Sequence, residues 1–268
     1  MITVLTGASA GIGAAVALDL AKQAHQLVLV GRTPARLEAV ADRVAAVTGT
    51  APATFQADFA VLADVRKLAD ELLARYERID VLVNNAGVMT TRRERTADGH
   101  ELMMQVNHLA PFLLTNLLLD RLKESSARIV TTSSRAARTG RIDPADLSRD
   151  RRRWSGWLQY GDTKQAGALF TVGLAERGLA ATSLHPGVLD TGFAPGTLFM
   201  KFLTVVPGMA EPPEAGARRI VHLVTQPDGV DHPGRFFVKN APAAVPRTMT
   251  DPALAEALWK AGQTACHL

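Results

Sequence analysis

The fold is decided by the stretch Ile2-Thr-Val-Leu-Thr-Gly7-Ala-Ser-Ala-Gly11-Ile-Gly13, at the beginning of the sequence. Its apolar first part is typical of a short buried strand, and the glycines that follow predict a tight turn. Ile12, Val16 and Leu20 then recur at helical spacing, which predicts a helix with one apolar face. In such a strand–turn–helix unit, glycines let backbone amides and the helix N-terminus approach a phosphate. The stretch therefore predicts a dinucleotide-binding turn, although three glycines can also form an ordinary tight loop.

The rest of the chain alternates between strand and helix patterns. These patterns predict strands at 27–30, 53–56, 80–83, 128–132, 180–184 and 235–238, and helices at 34–47, 63–76, 102–122 and 160–177. Right-handed crossovers place helices on both faces of a parallel sheet. We therefore predict an α/β fold: a Rossmann-type doubly wound parallel sheet of about seven strands in the order 3-2-1-4-5-6-7, in one domain over residues 1–268.

Composition narrows the class of protein. With 268 residues, 47% of them hydrophobic, the chain can bury the core of one sizeable domain. No apolar run approaches the ~18 residues of a membrane span, and the first strand leaves no room for a signal peptide, so we expect a cytoplasmic protein. The single cysteine, Cys266, excludes an internal disulfide and a multi-cysteine metal site, and no metal is predicted.

The formal net charge of +4 raises the question of nucleic acid. The basic residues form two clusters in predicted loops, 92–95 and 149–153, and neither lies on a recognisable nucleic-acid-binding motif. We interpret both as solvated faces and predict no nucleic-acid partner.

Two further motifs carry groups that can do chemistry. Asn84-Asn85-Ala86-Gly87 follows the fourth predicted strand, at the edge where a parallel sheet binds ligands, although turn chemistry alone can explain it. Tyr160 and Lys164 are four residues apart, so they share one helix face. An ammonium group at ~4 Å is worth about 4 kcal/mol at an effective dielectric of ~20, before desolvation. We therefore expect Lys164 to lower the pKa of Tyr160 from its ordinary value of ~10.

Four motifs, in this order, resemble the short-chain dehydrogenase/reductase family: TGxxxGxG at 6–13, NNAG at 84–87, a serine-ended strand at 129–134 and YxxxK at 160–164. Longer stretches are similar to its retinol-dehydrogenase-like branch, among them QVNHLAPFLLTNLLL (105–119), LHPGVLDTGF (184–193) and DPALAEALW (251–259). The resemblance covers almost the whole chain. It implies hydride transfer between a nicotinamide dinucleotide and a carbonyl or alcohol group.

The resemblance also implies which residues bind the cofactor. Asp58 is expected to contact the adenine, the loop 185–188 to receive the nicotinamide carboxamide, and Thr191 to lie near the phosphates; an ordinary Pro-Gly turn is the alternative for that loop. The expected cofactor-binding residues are Gly7, Ser9, Ala10, Gly11, Ile12, Gly13, Arg32, Asp58, Asn84, Ala86, Gly87, Tyr160, Lys164, Pro186, Gly187, Val188 and Thr191.

Arg32 bears on the choice of cofactor. It ends the second predicted strand, where a protein specific for NAD usually places an acid for the ribose hydroxyls. A guanidinium fork matches a 2′-phosphate instead. We predict a preference for NADP(H) over NAD(H), with an ordinary surface arginine as the alternative.

The catalytic residues implied by the resemblance are Asn107, Ser134, Tyr160 and Lys164. Ser134 would hold the substrate oxygen while Tyr160 exchanges its proton, with Ser133 as the alternative serine. Asn107 would open its helix to a water that connects Lys164 to solvent; a helix-surface or capping asparagine is the alternative.

We thus predict an NADP(H)-dependent oxidoreductase that interconverts a carbonyl and an alcohol on a lipophilic small molecule. Apolar side chains between glycines and prolines at 189–209 predict a substrate lid, with a peripheral helix or an oligomer contact as alternatives. The last alternative makes a homo-oligomer possible. Two rival classes are a non-catalytic dinucleotide-binding sensor or scaffold, which needs no Tyr/Lys pair, and a methyltransferase, which shares the sheet but lacks NNAG.

Overall fold

The computed structural model describes residues 1–188 and 211–268, and their centre is one eight-stranded sheet in the order β3-β2-β1-β4-β5-β6-β7-β8. The strands are β1 (Ile2–Thr6), β2 (Gln26–Gly31), β3 (Ala53–Gln56), β4 (Val81–Asn84), β5 (Arg128–Thr132), β6 (Ala180–His185), β7 (Phe236–Val238) and β8 (Ala241–Pro242). Every neighbouring pair is parallel except β7 and β8. The predicted doubly wound sheet and the order of its seven parallel strands are confirmed. The predicted lid, 189–209, lies outside the described residues.

Helices cover both faces of the sheet. They are α1 (Gly11–Ala21), α2 (Pro34–Thr48), α3 (Leu62–Arg75), α4 (Leu102–Met104), α5 (Ala110–Leu117), α6 (Leu119–Glu124), α7 (Gly156–Ala175), α8 (Pro213–Thr225), α9 (Asp228–Asp231) and α10 (Pro252–Cys266). Side chains of a strand alternate between faces, so Val4 belongs to the core under α3, α5, α7 and α10, and Leu5 to the core under α1, α2 and α8. No helix among the described residues has the length and apolar character needed to cross a membrane.

The predicted continuous helix at 102–122 is wrong. A π-helical segment, Gln105–Leu109, separates α4 from α5, and Leu118 interrupts the path from α5 to α6. Pro111 has no amide hydrogen and cannot donate to the carbonyl of Asn107, four residues earlier. The amide of Ala110 instead donates to Gln105, five residues back, as in a π-turn. The wider turn places Asn107 in the interior.

One helix start and one additional strand also differ from the prediction, for local reasons. Helix α7 begins at Gly156 and not at Tyr160, because the hydroxyl of Ser155 caps it by accepting from the amide of Leu158 at 3.2 Å. Strand β8 was not predicted, since two residues are too few to show a pattern.

Helix α10 fastens the C-terminal part of the described chain to the π-helical segment. The Cys266 thiol donates to the carbonyl of Leu109 at 3.5 Å, and the side chain is fully buried. Burial raises the pKa of this thiol to about 12. Cys266 is therefore a structural residue with no tendency to form a thiolate.

Candidate active site

The glycine turn has the geometry that a close approach of backbone requires. Gly7 and Gly11 have left-handed φ angles of 66° and 52°, which favour glycine. A Cβ on Gly13 would come within 2.1 Å of the carbonyl oxygen of Gly7. Helix α1 begins after Ala10, which offers no side-chain cap, and its first turn holds no acidic residue. The first backbone amides of α1 can therefore donate hydrogen bonds to an anion such as a pyrophosphate.

The Asn-Asn-Ala-Gly segment is tied to this turn by hydrogen bonds. The hydroxyl of Thr6 accepts from the amides of Asn85 (3.0 Å) and Ala86 (3.1 Å), and the Asn85 carboxamide donates to the carbonyl of Thr6 at 3.1 Å. Thr132, at the end of β5, donates to Asn85 Oδ1 at 3.2 Å. Thr6 and Asn85 thus join the carboxyl ends of β1, β4 and β5, a role that sequence reasoning had not assigned to either residue.

Asn84 has a different environment from its neighbours. Its side chain is only 3% exposed and donates to the hydroxyl of Thr115, on α5, at 3.2 Å. Ala86 and Gly87 stay at the edge of the sheet and are partly exposed. The structure therefore places the side chain of Asn84 against α5 and not beside the glycine turn.

Arg32 and Asp58 follow β2 and β3 at the same sheet edge. Arg32 is exposed, and its guanidinium forms no ion pair with any residue in 1–188 or 211–268. Asp58 shapes the turn before α3, where its Oδ1 accepts from the amide of Ala60 at 3.0 Å and its own amide donates to Asp64 at 3.1 Å. Arg32 is thus accessible to a ligand, while one oxygen of Asp58 is engaged by the backbone.

Asn107 is buried in the π-helical segment, 6% exposed. Its Oδ1 accepts from the amide of Val88 at 2.7 Å, and its Nδ2 donates to the carbonyl of Val88 at 2.9 Å and to the hydroxyl of Thr163 at 3.1 Å. Burial contradicts the alternative of a helix-surface asparagine. Asn107 therefore connects the loop after β4 to α7, next to Lys164.

The two serines after β5 have different partners. Ser133 is 2% exposed and donates to the carbonyl of Lys164 at 2.6 Å, so its hydroxyl is committed to the backbone of α7. The hydroxyl of Ser134 accepts from the amide of Ala136 at 3.2 Å and also forms a hydrogen bond with the Tyr160 side chain. The structure thus brings Ser134, and not Ser133, to the tyrosine.

The ionisation of Tyr160 and Lys164 differs from the expectation. Burial raises the pKa of Tyr160 to about 12, although the hydrogen bond with Ser134 acts in the opposite direction. Burial also lowers the pKa of Lys164 to about 8. The Lys164 Nζ lies 5.5 Å from the centre of the Tyr160 ring and donates to the carbonyl of Thr132 at 3.0 Å. In the protein chain alone, desolvation of both groups thus outweighs the attraction that was expected to favour the phenolate.

The loop after β6 is held from α8. Arg219 donates to the carbonyl of Pro186 and forms an ion pair with Glu211 at 2.6 Å, and the amide of Glu211 donates to Val188 at 2.8 Å. Gly187 has a φ of 113°, and Val188 is 39% exposed. Arg219 is a supporting residue that sequence reasoning missed, since nothing in the local pattern links it to this loop. Thr191 lies outside the described residues.

The glycine turn, the free Arg32 and the Ser134–Tyr160–Lys164 group occupy the carboxyl edge of one parallel sheet. The turn fits a dinucleotide, since a Cβ on Gly7 or Gly13 would collide with the backbone of Ala86 or of Gly7, so only glycine allows the close backbone packing of a phosphate-binding turn. No group of three or more potential metal ligands occurs in the described part of the chain. Fold and site together define a dinucleotide-binding protein with a positioned proton donor.

Comparison with known proteins gives the family. The family profile "short chain dehydrogenase" matches residues 1–197. A Streptomyces sp. (strain C5) protein, provisionally named daunorubicin C-13 ketoreductase DnrU, is 41% identical over 263 residues, covering 97% of this chain and 91% of that protein. Human retinol dehydrogenase 13 is 35% identical over 269 residues, covering 96% and 81%.

Solved structures agree with this result. A protein of Escherichia coli CFT073, described as a short chain dehydrogenase in complex with NADPH, has a TM-score of 0.72 and 27% identity over 90% of this chain and 96% of that chain. The chain belongs to the short-chain dehydrogenase/reductase family, and its similarity extends to the retinol-dehydrogenase-like branch. It is an oxidoreductase that acts on CH–OH and C=O groups.

Proposed function

We propose that this protein interconverts a carbonyl and an alcohol on a lipophilic small molecule, with NADP(H) as the preferred cofactor. The observation that carries the proposal is the hydrogen bond between Ser134 and Tyr160, beside the buried Lys164 and at the sheet edge that holds the glycine turn. A sensor or scaffold needs none of these three groups. We also propose that residues 1–268 form a single domain.

Each side chain has a separate part in this reaction. The Ser134 hydroxyl, already bonded to Tyr160, holds the oxygen of the substrate, and the Tyr160 phenol gives that oxygen a proton during reduction or takes it back during oxidation. The cofactor, when bound, supplies or accepts the hydride at the carbon. A pKa of about 8 lets Lys164 exchange protons near neutral pH, and its charged form stabilises the phenolate as it forms. Asn107 fixes the loop after β4 against α7 through Val88 and Thr163.

The substitution Tyr160→Phe tests the catalytic assignment. It keeps the ring and removes only the exchangeable proton, so we expect kcat to fall by roughly 10²- to 10⁴-fold while cofactor affinity stays nearly unchanged. The assay is absorbance at 340 nm, the nicotinamide band, with a panel of aldehydes, ketones and alcohols. Tyr76→Phe is the matched control, since Tyr76 is the other tyrosine of the chain and ends α3 in the core. Activity near wild type in Tyr160→Phe would remove the assignment.

The preference for NADP(H) rests on Arg32. A charge-assisted bond from an arginine to a 2′-phosphate is worth about 1.5 to 3 kcal/mol, or roughly one to two orders of magnitude in affinity. Arg32 is exposed and has no described ion-pair partner that would compete with a phosphate. The neighbouring solved structures include several in complex with NADP or NADPH.

The substitution Arg32→Asp tests this preference. It should reverse the ratio of the NADP and NAD dissociation constants, because a carboxylate repels the phosphate and accepts from free ribose hydroxyls. The ratio of the wild-type protein should also shrink as salt rises. Equal affinities in the wild type, or an unaltered ratio in the variant, would contradict the cofactor preference and leave the oxidoreductase assignment in place.

The lipophilic character of the substrate is supported by the relatives. Their names refer to retinol and daunorubicin. On this chain, the first turn of α7 presents Trp157, 46% exposed, with its ring centre 6.3 Å from that of Tyr160. An exposed indole beside the proton donor suits an apolar or flat substrate.

A further inference from the structure

The two basic clusters of the sequence lie side by side in the fold. Arg93 donates to the carbonyl of Ser148 at 2.9 Å, and both Arg93 and Arg95 form ion pairs with Asp150. Segments more than fifty positions apart thus build one surface. We call this surface the basic rim; its members are Arg92, Arg93, Arg95, Arg151, Arg152 and Arg153.

Positive charge on the basic rim is only partly neutralised. Two of its arginines share the single carboxylate of Asp150, and Arg152 pairs with Asp146 at 2.9 Å. The other three, Arg92, Arg151 and Arg153, are exposed and form no ion pair with any described residue. The exposed Glu94 and the buried Glu101, which interacts with Arg93, remove at most two further charges. The rim therefore keeps a net positive charge.

The rim lies beside the mouth of the active site. Arg153 is two residues before Ser155, the cap of α7, and Tyr160 follows the cap by five residues, about 7.5 Å along the helix axis. On the other side, the loop that carries Arg92 is pressed against α7: a Cβ on Gly156 would lie 2.2 Å from the carbonyl oxygen of Thr90. Both parts of the rim are thus anchored at the first turn of the helix that carries the proton donor.

The exposed ring of Trp157 lies on the first turn of α7, between the cap and Tyr160 along the helix. Trp157 and Tyr160 are three residues apart and share one helix face. A ligand that extends from the phenol across the indole therefore runs towards the first turn of α7, where both parts of the rim are anchored. Such a ligand has a carbonyl group at one end, an apolar body in the middle and a group complementary to guanidinium at the other end.

We propose that the basic rim selects carbonyl substrates that carry an anionic group, a carboxylate or a phosphate, on an apolar or aromatic body. This inference rests on the proposed function and adds the charge of the substrate to it. A charged surface at the mouth of a site raises association rates by 10- to 10³-fold, and the effect falls steeply with ionic strength. Arginine forks also bind carboxylate and phosphate oxygens in pairs, which adds orientation to attraction.

Two aldehydes that differ by charge and by one methyl group test the proposal. At saturating NADPH, kcat/KM is measured for 4-carboxybenzaldehyde and for its neutral methyl ester, at low and high ionic strength. We expect the acid to be favoured about tenfold or more at low salt, and the preference to shrink as salt rises. The double variant Arg92→Glu/Arg153→Glu should lose or reverse the preference and leave turnover of the ester unchanged.

A matched control changes the net charge equally at a distance. Arg43 on α2 and Lys123 on α6 are exposed and form no ion pair with any described residue, and Arg43→Glu/Lys123→Glu should keep the preference for the acid. A preference that is absent in the wild type, insensitive to salt, or retained in the rim variant would overturn the proposal. An equal loss in the control would overturn it as well, since net charge and not the rim would be responsible. A phosphorylated aromatic aldehyde, run in parallel, distinguishes a phosphate preference from a carboxylate preference.

A binding measurement keeps this test separate from catalysis. Terephthalate is titrated into the wild type and the rim variant by calorimetry, with dimethyl terephthalate as the neutral comparison. If no member of the panel of aldehydes, ketones and alcohols turns over, the proposed function fails, but salt-sensitive binding of terephthalate that weakens about tenfold in the rim variant still supports anion recognition. Equal binding of both compounds to both proteins would refute it.

Discussion

The ion pair between Arg149 and Asp162 should dominate the stability of the region around the active site. Arg149 Nε and Nη2 donate to the two Asp162 oxygens at 2.8 and 2.9 Å, and the side chains are only 7% and 0% exposed. Asp162 also accepts from the amide of Arg141 at 2.7 Å, and Arg149 donates to the carbonyl of Arg153 at 3.0 Å. The pair thus fastens the long segment between Ser134 and Tyr160 to α7.

The perturbation is Asp162→Ala, which leaves a buried guanidinium without a counter-charge. Breaking a buried pair from one side costs about 3–5 kcal/mol, and the orphaned amide of Arg141 adds roughly 1 kcal/mol. With a total loss of about 4–6 kcal/mol, and about 2–4 °C per kcal/mol for a domain of this size, Tm should fall by roughly 8–24 °C. Adding Arg149→Met should restore much of the loss, because the unpaired charge is removed.

The assay is urea unfolding followed by tryptophan fluorescence, for both single variants and the double variant in a mutant cycle. Glu256→Ala serves as the comparison, since its pair with Arg177 lies on the surface, and its unfolding midpoint should barely change. A loss below about 1 kcal/mol for Asp162→Ala, or a double variant as unstable as the sum of the singles, would refute the reasoning.

Two further predictions follow from the partners of the serines and from burial of the phenol. Ser134→Ala should lower kcat with little effect on the free energy of unfolding. Ser133→Ala loses the hydrogen bond to the backbone of α7, so it should lower stability more than kcat. The opposite pattern in activity and urea-unfolding assays would exchange the roles of the two serines. In a Tyr76→Phe background, absorbance at 295 nm should show that Tyr160 without cofactor stays protonated until the pH approaches about 12, because burial raises its pKa. With oxidised cofactor bound, Tyr160 should ionise at a lower pH, because the cofactor adds positive charge. A midpoint near ~10 without cofactor would contradict the burial argument.

Much of the fold could be predicted because the sheet is buried on both faces. Strands such as Leu27–Val30 are short apolar runs, and the strand order then follows from right-handed crossovers. Periodicity alone could not predict the break in the helix at 102–122, because the apolar spacing continues through the π-turn. Pro111 was the available signal, since its missing amide hydrogen falls four residues after Asn107.

The sequence predicts a set of residues for the candidate site, but it does not predict how burial shifts their pKa values. Helical spacing places Lys164 near Tyr160. The direction of both pKa shifts, however, depends on how deeply the two groups are buried, and the spacing does not reveal this. Likewise, Thr6 and Asn85 act through bonds across 79 positions of sequence, so only the folded sheet reveals them. Arg219 supports the loop after β6 from α8 in the same way, through a tertiary contact.

The buried Cys266 allows the local opening of α10 to be measured on the unmodified protein. A thiol-specific reagent can modify the only cysteine only when α10 detaches from the carbonyl of Leu109, because the closed thiol is fully buried and its pKa is about 12. When reclosing is fast, the rate of modification equals the rate of the free thiol multiplied by the fraction of open molecules. No engineered label is needed to measure how firmly α10 holds the π-helical segment around Asn107. The modification rate, compared with and without cofactor, reports whether cofactor binding at the sheet edge stabilises the contact between Cys266 and Leu109.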